Sequence, residues 1–202
     1  KYPDRSAISI GSEVLYTFRS LYLRVSYLAA SMQQKLLLKP GDRVAIVMPN
    51  HPEYLVIRYA AWFAGLTVVP INSKLHGLEI SYMLNHSGSS ACFTLTQLTQ
   101  TLTSDSYARQ TTVSVIDVES EEYRDMTKAR QAIAIEERGS GDIAWLFYTS
   151  GTTGKPKGVM ITHGMLASMT QSYGADVDQV SAADTALYAA PLSHGAGLYA
   201  VM

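Results

Sequence analysis

The chain has 202 residues, 47% of them hydrophobic and 16% charged, which is typical of a globular protein and excludes an intrinsically disordered one. A formal net charge of -1, with no run of basic residues, gives no field that would attract nucleic acid. The single cysteine, Cys92, excludes a disulfide framework, is expected to be a buried inert thiol, and is compatible with a cytoplasmic location.

The first 95 residues alternate between helical and strand patterns. Apolar residues at three- and four-residue spacing from Phe18 to Met32 predict a helix with Thr17 as its N-cap. Asn50 stands three residues before Glu53, which predicts the start of a second helix ending near Gly65. Strands are predicted at 44–48, 67–70 and 91–95, and a third helix at 78–86. This alternation predicts a layered α/β/α fold with a largely parallel sheet.

The longest apolar region, 54–71, is interrupted by Arg58, Gly65 and Pro70, and therefore predicts no membrane span. Residues 96–112 are rich in Thr, Ser and Gln, and 119–138 are rich in charge, so both are predicted to be surface segments. A short strand at 112–116 and an amphipathic helix at 121–132 are predicted there. The nearby run Glu119, Glu121 and Glu122 lacks clustered partners and is interpreted as a solvated face, with no metal site.

The most informative segment is Tyr148-Thr149-Ser150-Gly151-Thr152-Thr153-Gly154-Lys155-Pro156-Lys157-Gly158. Its glycines let the backbone approach an anion, and its hydroxyls and lysines supply donors and positive charge, so it predicts a phosphate-binding loop. A Walker loop is excluded, because Pro156 and Val159 occupy the positions where its second glycine is required. Short apolar runs at 143–148 and 159–161 predict that the loop joins two strands. Beyond it, a helix at 164–173 capped by Thr162 and a strand at 185–189 leading to His194 are predicted.

This loop, closed by Thr162-His163, resembles the signature loop of the adenylate-forming (AMP-binding) superfamily, which includes acyl-CoA synthetases, firefly-type luciferases and the adenylation domains of peptide synthetases. The later run Pro191-Leu192-Ser193-His194-Gly195-Ala196-Gly197-Leu198 resembles a second motif, Pro-Leu-x-His-x-x-Gly, that acyl- and aryl-CoA synthetases typically carry. Weaker similarity extends upstream, so the resemblance covers nearly the whole chain.

The resemblance implies ATP-dependent activation of a small-molecule carboxylic acid through an acyl-adenylate, followed by transfer to CoA, with fatty acid metabolism as the expected setting. It implies that Lys157 and Thr152 act in catalysis and that His194 lines the acyl pocket. No base is required for the first step, because the attacking carboxylate is already ionised near neutral pH. Lys155, at a variable position of the pattern, is expected to be solvated. The other histidines have no acidic or thiol partner close by in sequence and are expected to be structural or at the surface: His51, His76, His86 and His163. The implied nucleotide-binding residues are Thr149, Ser150, Gly151, Thr152, Thr153, Gly154 and Lys157.

Several other motifs of that family are missing from the 202 residues: a Tyr-Gly-x-Thr-Glu segment whose glutamate would help hold Mg²⁺, a Thr-Gly-Asp segment for the ribose, and the C-terminal lobe with its lysine. The chain is therefore expected to be the N-terminal portion of the large domain of a longer enzyme and to be inactive alone. A first α/β subdomain is expected over roughly 1–140, with the phosphate loop and the start of the acyl-binding region over 141–202. Most Mg²⁺ ligands are expected outside the chain.

Two other functions stay open on the sequence: an amino-acid adenylation domain that feeds a carrier protein, and a non-catalytic nucleotide- or acyl-binding module. The identity of the carboxylic acid and the oligomeric state are open as well.

Overall fold

A computed structural model describes residues 2–103, 113–128, 132–149 and 155–199. Within these residues the strands are β1 Ser6–Ile10, β2 Glu13–Thr17, β3 Arg43–Val47, β4 Thr67–Ile71, β5 Ser89–Thr94, β6 Ser114–Asp117, β7 Ile143–Thr149 and β8 Lys157–Thr162. The helices are α1 Phe18–Gln34, α2 Pro52–Phe63, α3 Gly77–Ser87, α4 Thr96–Thr103, α5 Glu121–Met126, α6 His163–Asp176 and α7 Gly195–Tyr199.

The main sheet has six strands in the order β6-β5-β3-β4-β7-β8. Every neighbouring pair is parallel except β7 and β8, which form an antiparallel hairpin. Because β7 pairs with β4, the sheet continues past residue 140. The division of the chain near that residue stays a prediction. A separate hairpin of β1 and β2, which the sequence patterns did not predict, precedes α1.

Helices cover both faces of this sheet. On β3, Val44 and Ile46 pack into a cluster with α1 and α2, whereas Ala45 and Val47 pack into a second cluster with α3 and α4. The alternation follows from the strand period of two, and all four side chains are fully buried. The predicted layered α/β/α architecture with a largely parallel sheet is thereby confirmed.

The helix starts follow their capping residues, with one correction. The Thr17 side chain accepts a hydrogen bond from the Ser20 backbone N–H, as predicted for the start of α1. At α2 the N-cap is His51, whose Nδ1 accepts from the Glu53 N–H, and not the predicted Asn50. The amide of Asn50 bonds elsewhere in the fold, which leaves the cap to its neighbour.

Two predicted segments differ in the structure, and a third contains a helix that was not predicted. Residues 96–103 lie largely at the surface, as predicted, but they form α4, in which Leu98 and Leu102 lie four apart and Leu102 is buried. Helix α5 ends at Met126, earlier than predicted. Residues 185–189 form no strand, because no strand pairs with them, and Leu187 is 96% exposed.

Cys92 lies on β5 with no exposed surface, and burial raises the pKa of its thiol to about 12. The thiol is therefore protonated at neutral pH, which suits an inert core residue. None of the helices in the described part of the chain has the length and apolar character that a membrane crossing requires.

Candidate functional site

The predicted phosphate-binding loop connects the two strands of the β7-β8 hairpin. Thr149, the last residue of β7, faces Lys157, the first residue of β8, as a cross-strand pair, and both are exposed. The two flanking strands are as predicted. The other predicted loop residues, Ser150, Gly151, Thr152, Thr153 and Gly154, lie outside the described residues.

Helix α3 packs against the beginning of this loop through an aromatic group. The ring of His86 stacks on Tyr82 at 5.3 Å between centroids, and its Nδ1 lies 2.8 Å from the hydroxyl oxygen of Tyr148. Partial burial and the neighbouring Tyr82 raise the pKa of Tyr148 to about 12, so this hydroxyl keeps its proton at neutral pH. His86 was expected to be structural or exposed. Its partner lies 62 residues away, and no local pattern could have indicated the contact.

The same helix also contacts the end of the loop. The Lys155 ammonium lies 5.9 Å from the centroid of the Tyr82 ring, and the Tyr82 hydroxyl lies 3.5 Å from the Pro156 carbonyl oxygen. Lys155 is exposed, in line with its expected solvation, but it has an aromatic neighbour. Helix α3 thus contacts the phosphate-binding segment near both of its ends.

The segment that carries His194 is attached to the sheet by Asn50, which follows β3. The Asn50 Oδ1 accepts a hydrogen bond from the Leu192 N–H at 2.8 Å, and its Nδ2 donates to the Ala190 carbonyl at 2.9 Å. The Leu192 side chain is buried in the core cluster that contains α1 and α2. His194 itself is exposed, and its Nε2 lies 3.4 Å from the Nδ2 of Asn72, which follows β4.

This attachment lies at the carboxyl edge of the sheet. Strands β3 and β4 are neighbours, and the chain leaves β3 for α2 on one face and leaves β4 for α3 on the other. The carboxyl ends of the strands are where open α/β sheets bind ligands. Asn50 and Asn72 follow β3 and β4 at this edge, and β7, adjacent to β4, brings Thr149 to the same edge of the sheet.

The residue that closes the loop motif, His163, starts α6 after the N-cap Thr162. Burial and the nearby Arg138 guanidinium lower the pKa of His163, so its imidazole is neutral at pH 7. Its Nε2 is buried and has no hydrogen-bond partner among the described atoms. The ring packs edge-on against Trp62, so a packing role explains it, as the sequence predicted.

Gly197, the last glycine of the Pro-Leu-x-His-x-x-Gly pattern, is required by a close backbone approach. A Cβ at this position would overlap the carbonyl oxygen of Pro191, which accepts a hydrogen bond from the His194 N–H at 3.0 Å. Gly197→Ala is therefore expected to lower the free energy of unfolding of the chain by about 1–3 kcal/mol, measured by urea denaturation.

Gly174→Ala is the matched control, because Gly174 lies on α6 and a Cβ there would meet no atom within 4 Å. This variant should be unchanged or more stable by about 0.5–1 kcal/mol, since alanine favours the helix. Equal unfolding free energies for the two variants would contradict the steric role of Gly197.

Among the described residues, no group of three or more His, Cys, Asp or Glu side chains is placed to hold a metal ion. The described part of the site therefore supplies an exposed lysine and hydroxyl at the hairpin and an exposed imidazole at the carboxyl edge of the sheet, with no carboxylate cluster among the described residues.

The whole chain, residues 1–202, matches the family described as AMP-binding enzyme. It is 34% identical over 198 residues to a feruloyl-CoA synthase of an Amycolatopsis species, covering 97% of this chain and 38% of that protein. It is 33% identical over 190 residues to a long-chain-fatty-acid–CoA ligase of Mycobacterium tuberculosis, covering 91% of this chain and 37% of that protein. The chain therefore spans well under half the length of these relatives.

A similar fold occurs in the o-succinylbenzoate CoA synthetase of Bacillus subtilis, solved in complex with an acyl-adenylate intermediate. The TM-score is 0.83 at 30% sequence identity, and the match covers 99% of this chain and 50% of that one.

Proposed function

Because the chain belongs to the AMP-binding enzyme family, we propose that it forms the part of an ATP-dependent acid–thiol ligase that holds the nucleotide phosphates and begins the acyl site. The observation that carries this proposal is that the hairpin end, with Thr149 and Lys157, and the His194 segment lie along the same carboxyl edge of one sheet. Adenylation requires the acid and ATP to bind next to each other, so the location of the hairpin end and the His194 segment on one edge supports the proposal.

In the proposed reaction a carboxylate oxygen attacks the α-phosphorus of ATP, pyrophosphate leaves, and a mixed anhydride with AMP forms. The thiol of CoA then attacks the acyl carbon and AMP leaves. Negative charge accumulates on the departing pyrophosphate in the first step, and donors placed before the reaction stabilise it most. Lys157 supplies the cation, and Thr149, Ser150, Gly151, Thr152, Thr153 and Gly154 supply hydroxyl and backbone N–H donors.

Mg²⁺ would shield the same phosphates, but the described residues offer no cluster of ligands for it. We propose that most of its ligands lie outside this chain. His194, at the carboxyl edge of the sheet, borders the acyl group. Since the 202 residues also lack the ribose motif and the lysine of the C-terminal lobe, we propose that they form no adenylate alone. We propose the cytoplasm as the location of the activity.

The relatives support CoA as the acceptor, because those described above include a feruloyl-CoA synthase and a long-chain-fatty-acid–CoA ligase. The test is a panel of ferulate, 2-succinylbenzoate and fatty acids of increasing length, offered with ATP and CoA to a ligase of the relatives' length that contains this chain. We expect acid-dependent release of pyrophosphate and a CoA thioester with at least one class of acid, and no release from the 202 residues alone.

Absence of pyrophosphate release from the longer protein with every acid would favour a non-catalytic binding module. Adenylation of amino acids followed by transfer to a carrier protein in place of CoA would favour the peptide-synthetase type. Pyrophosphate release by the isolated chain would refute the assignment of essential groups beyond it.

A further inference from the structure

We propose that Asn50 and Asn72 are positioning residues for His194: Asn50 holds the backbone of its segment, and Asn72 sets which imidazole nitrogen carries the proton. The inference deepens the proposed function, because it assigns a donor role to His194 in the acyl site. It follows from hydrogen bonds at the carboxyl ends of β3 and β4, between residues more than 120 positions apart in sequence.

Both atoms of the Asn50 amide are matched to the segment. The Leu192 N–H can only donate and the Ala190 carbonyl can only accept, so Oδ1 must face the first and Nδ2 the second. These two bonds flank Pro191, whose carbonyl closes the turn to the His194 N–H. A single side chain after β3 therefore fixes the path of the backbone immediately before the histidine.

The orientation of the Asn72 amide is set in the same way. The Lys74 N–H donates to Asn72 Oδ1 at 3.0 Å, so the group that faces His194 must be the Nδ2 amino group. An amino group of this kind only donates, so the His194 Nε2, 3.4 Å away, accepts. The neutral imidazole then carries its proton on Nδ1.

This tautomer has a chemical consequence at the proposed acyl site. With Nε2 occupied by Asn72, the other polar group of the ring is an Nδ1–H donor, for which no hydrogen bond to the described residues is seen. A substrate carboxylate and the carbonyl oxygen of an acyl-adenylate are both acceptors. His194 thus binds the acid by donating a hydrogen bond, in agreement with a first step that requires no general base.

The tautomer can be measured on the 202-residue chain without any enzymatic activity. Long-range ¹H–¹⁵N correlation spectra of the ¹⁵N-labelled chain at pH 8 should show His194 protonated on Nδ1, with the signals assigned by their loss in His194→Gln. In Asn72→Asp the carboxylate still accepts from the Lys74 N–H but presents an acceptor to the ring, so the Nε2–H tautomer should become dominant. An Nε2–H tautomer in the wild type, or no change in Asn72→Asp, would overturn the role of Asn72.

Asn50 is tested by hydrogen exchange. In Asn50→Ala the Leu192 amide loses its acceptor, and we expect its exchange to accelerate about tenfold or more. Asn85→Ala is the control, because Asn85 is exposed on α3 and does not contact this segment, and exchange at Leu192 should not change there. Equal exchange rates at Leu192 in the wild type and Asn50→Ala would overturn the role of Asn50.

The effect on catalysis is measured in the longer ligase. Asn72→Asp should lower kcat/KM for the acid by about tenfold, as for one lost hydrogen bond to an ionised group, with KM for ATP unchanged. An equal loss for ATP and the acid would contradict a specific role at the acyl site. A longer protein with no ligase activity would refute the proposed function, while the spectra would still decide the tautomer.

Discussion

Replacing Lys157 with alanine is expected to reduce ATP-dependent pyrophosphate release by about a hundredfold or more, with no loss of folding. Lys157 begins β8 and faces Thr149 across the hairpin, so its position relative to the loop is set by strand pairing. Its side chain is exposed and makes none of the core contacts, so removing it leaves the fold intact. In the proposed reaction the charge of Lys157 is needed most when pyrophosphate departs, so the loss should appear in kcat as well as in KM for ATP.

Lys155→Ala is the matched control for charge and location. Lys155 is two residues away, carries the same charge, and has the Tyr82 ring as an aromatic neighbour. Its removal should change the rate by no more than about fivefold. Both variants are assayed in the longer ligase by hydroxamate formation and pyrophosphate release. Similar losses of rate in the two variants would mean that any positive charge near the loop suffices. An unchanged rate in Lys157→Ala would contradict the role assigned to Lys157.

Replacing Glu53 with alanine is expected to lower the free energy of unfolding of the chain by about 3–5 kcal/mol, because it leaves buried polar partners without a counter-charge. Glu53 is only 6% exposed at the start of α2. Its carboxylate accepts from the Tyr16 and Tyr123 hydroxyls, each at 2.5 Å, and pairs with the Arg24 guanidinium at 3.0 Å. The Glu53 carboxylate on α2 therefore links this helix to β2, α1 and α5.

The measurement is urea denaturation of the 202-residue chain at pH 7. Glu53→Gln keeps the shape and removes the charge, so it should be destabilised by less than the alanine variant and gives a value if Glu53→Ala does not fold. Glu13→Ala, at an exposed position of β2, should stay within about 0.5 kcal/mol of the wild type. A loss below about 1 kcal/mol in Glu53→Ala would show that water replaces the carboxylate at low cost.

The hydrogen bond between Tyr16 and Glu53 predicts that the stability of the chain falls at high pH. Burial and the hydrogen bond to Glu53 raise the pKa of Tyr16 from 10.0 to about 12. The folded state then holds the Tyr16 hydroxyl proton more tightly than the unfolded state does. The contribution of this proton to the free energy of unfolding is therefore complete below pH 10 and is lost as the pH rises toward 12. Tyr16→Phe should flatten the decline in stability over that interval.

Short-range patterns in the sequence determined much of the fold and predicted the phosphate-binding loop. The helix at Thr17, the buried strands and the hairpin flanks at 143–148 and 159–161 were all predicted, because capping and side-chain periodicity act over a few residues. The loop and the Pro-Leu-x-His-x-x-Gly run resembled their family through contiguous residues. The predicted strand at 185–189 is wrong because a strand also requires a neighbour, which local periodicity does not provide.

Only the tertiary structure decided which distant residues meet. Asn50 has the local spacing of a helix cap, yet its amide bonds residues 140 and 142 positions away. His86 meets Tyr148, and Glu53 collects partners from three other elements. Such contacts depend on strand order and on which face each helix covers, and these are set by burial of the whole core. The sequence by itself therefore predicted the chemistry of the loop, and the packing of the sheet decided which side chains contact Tyr148, Lys155 and Pro156 near its two ends.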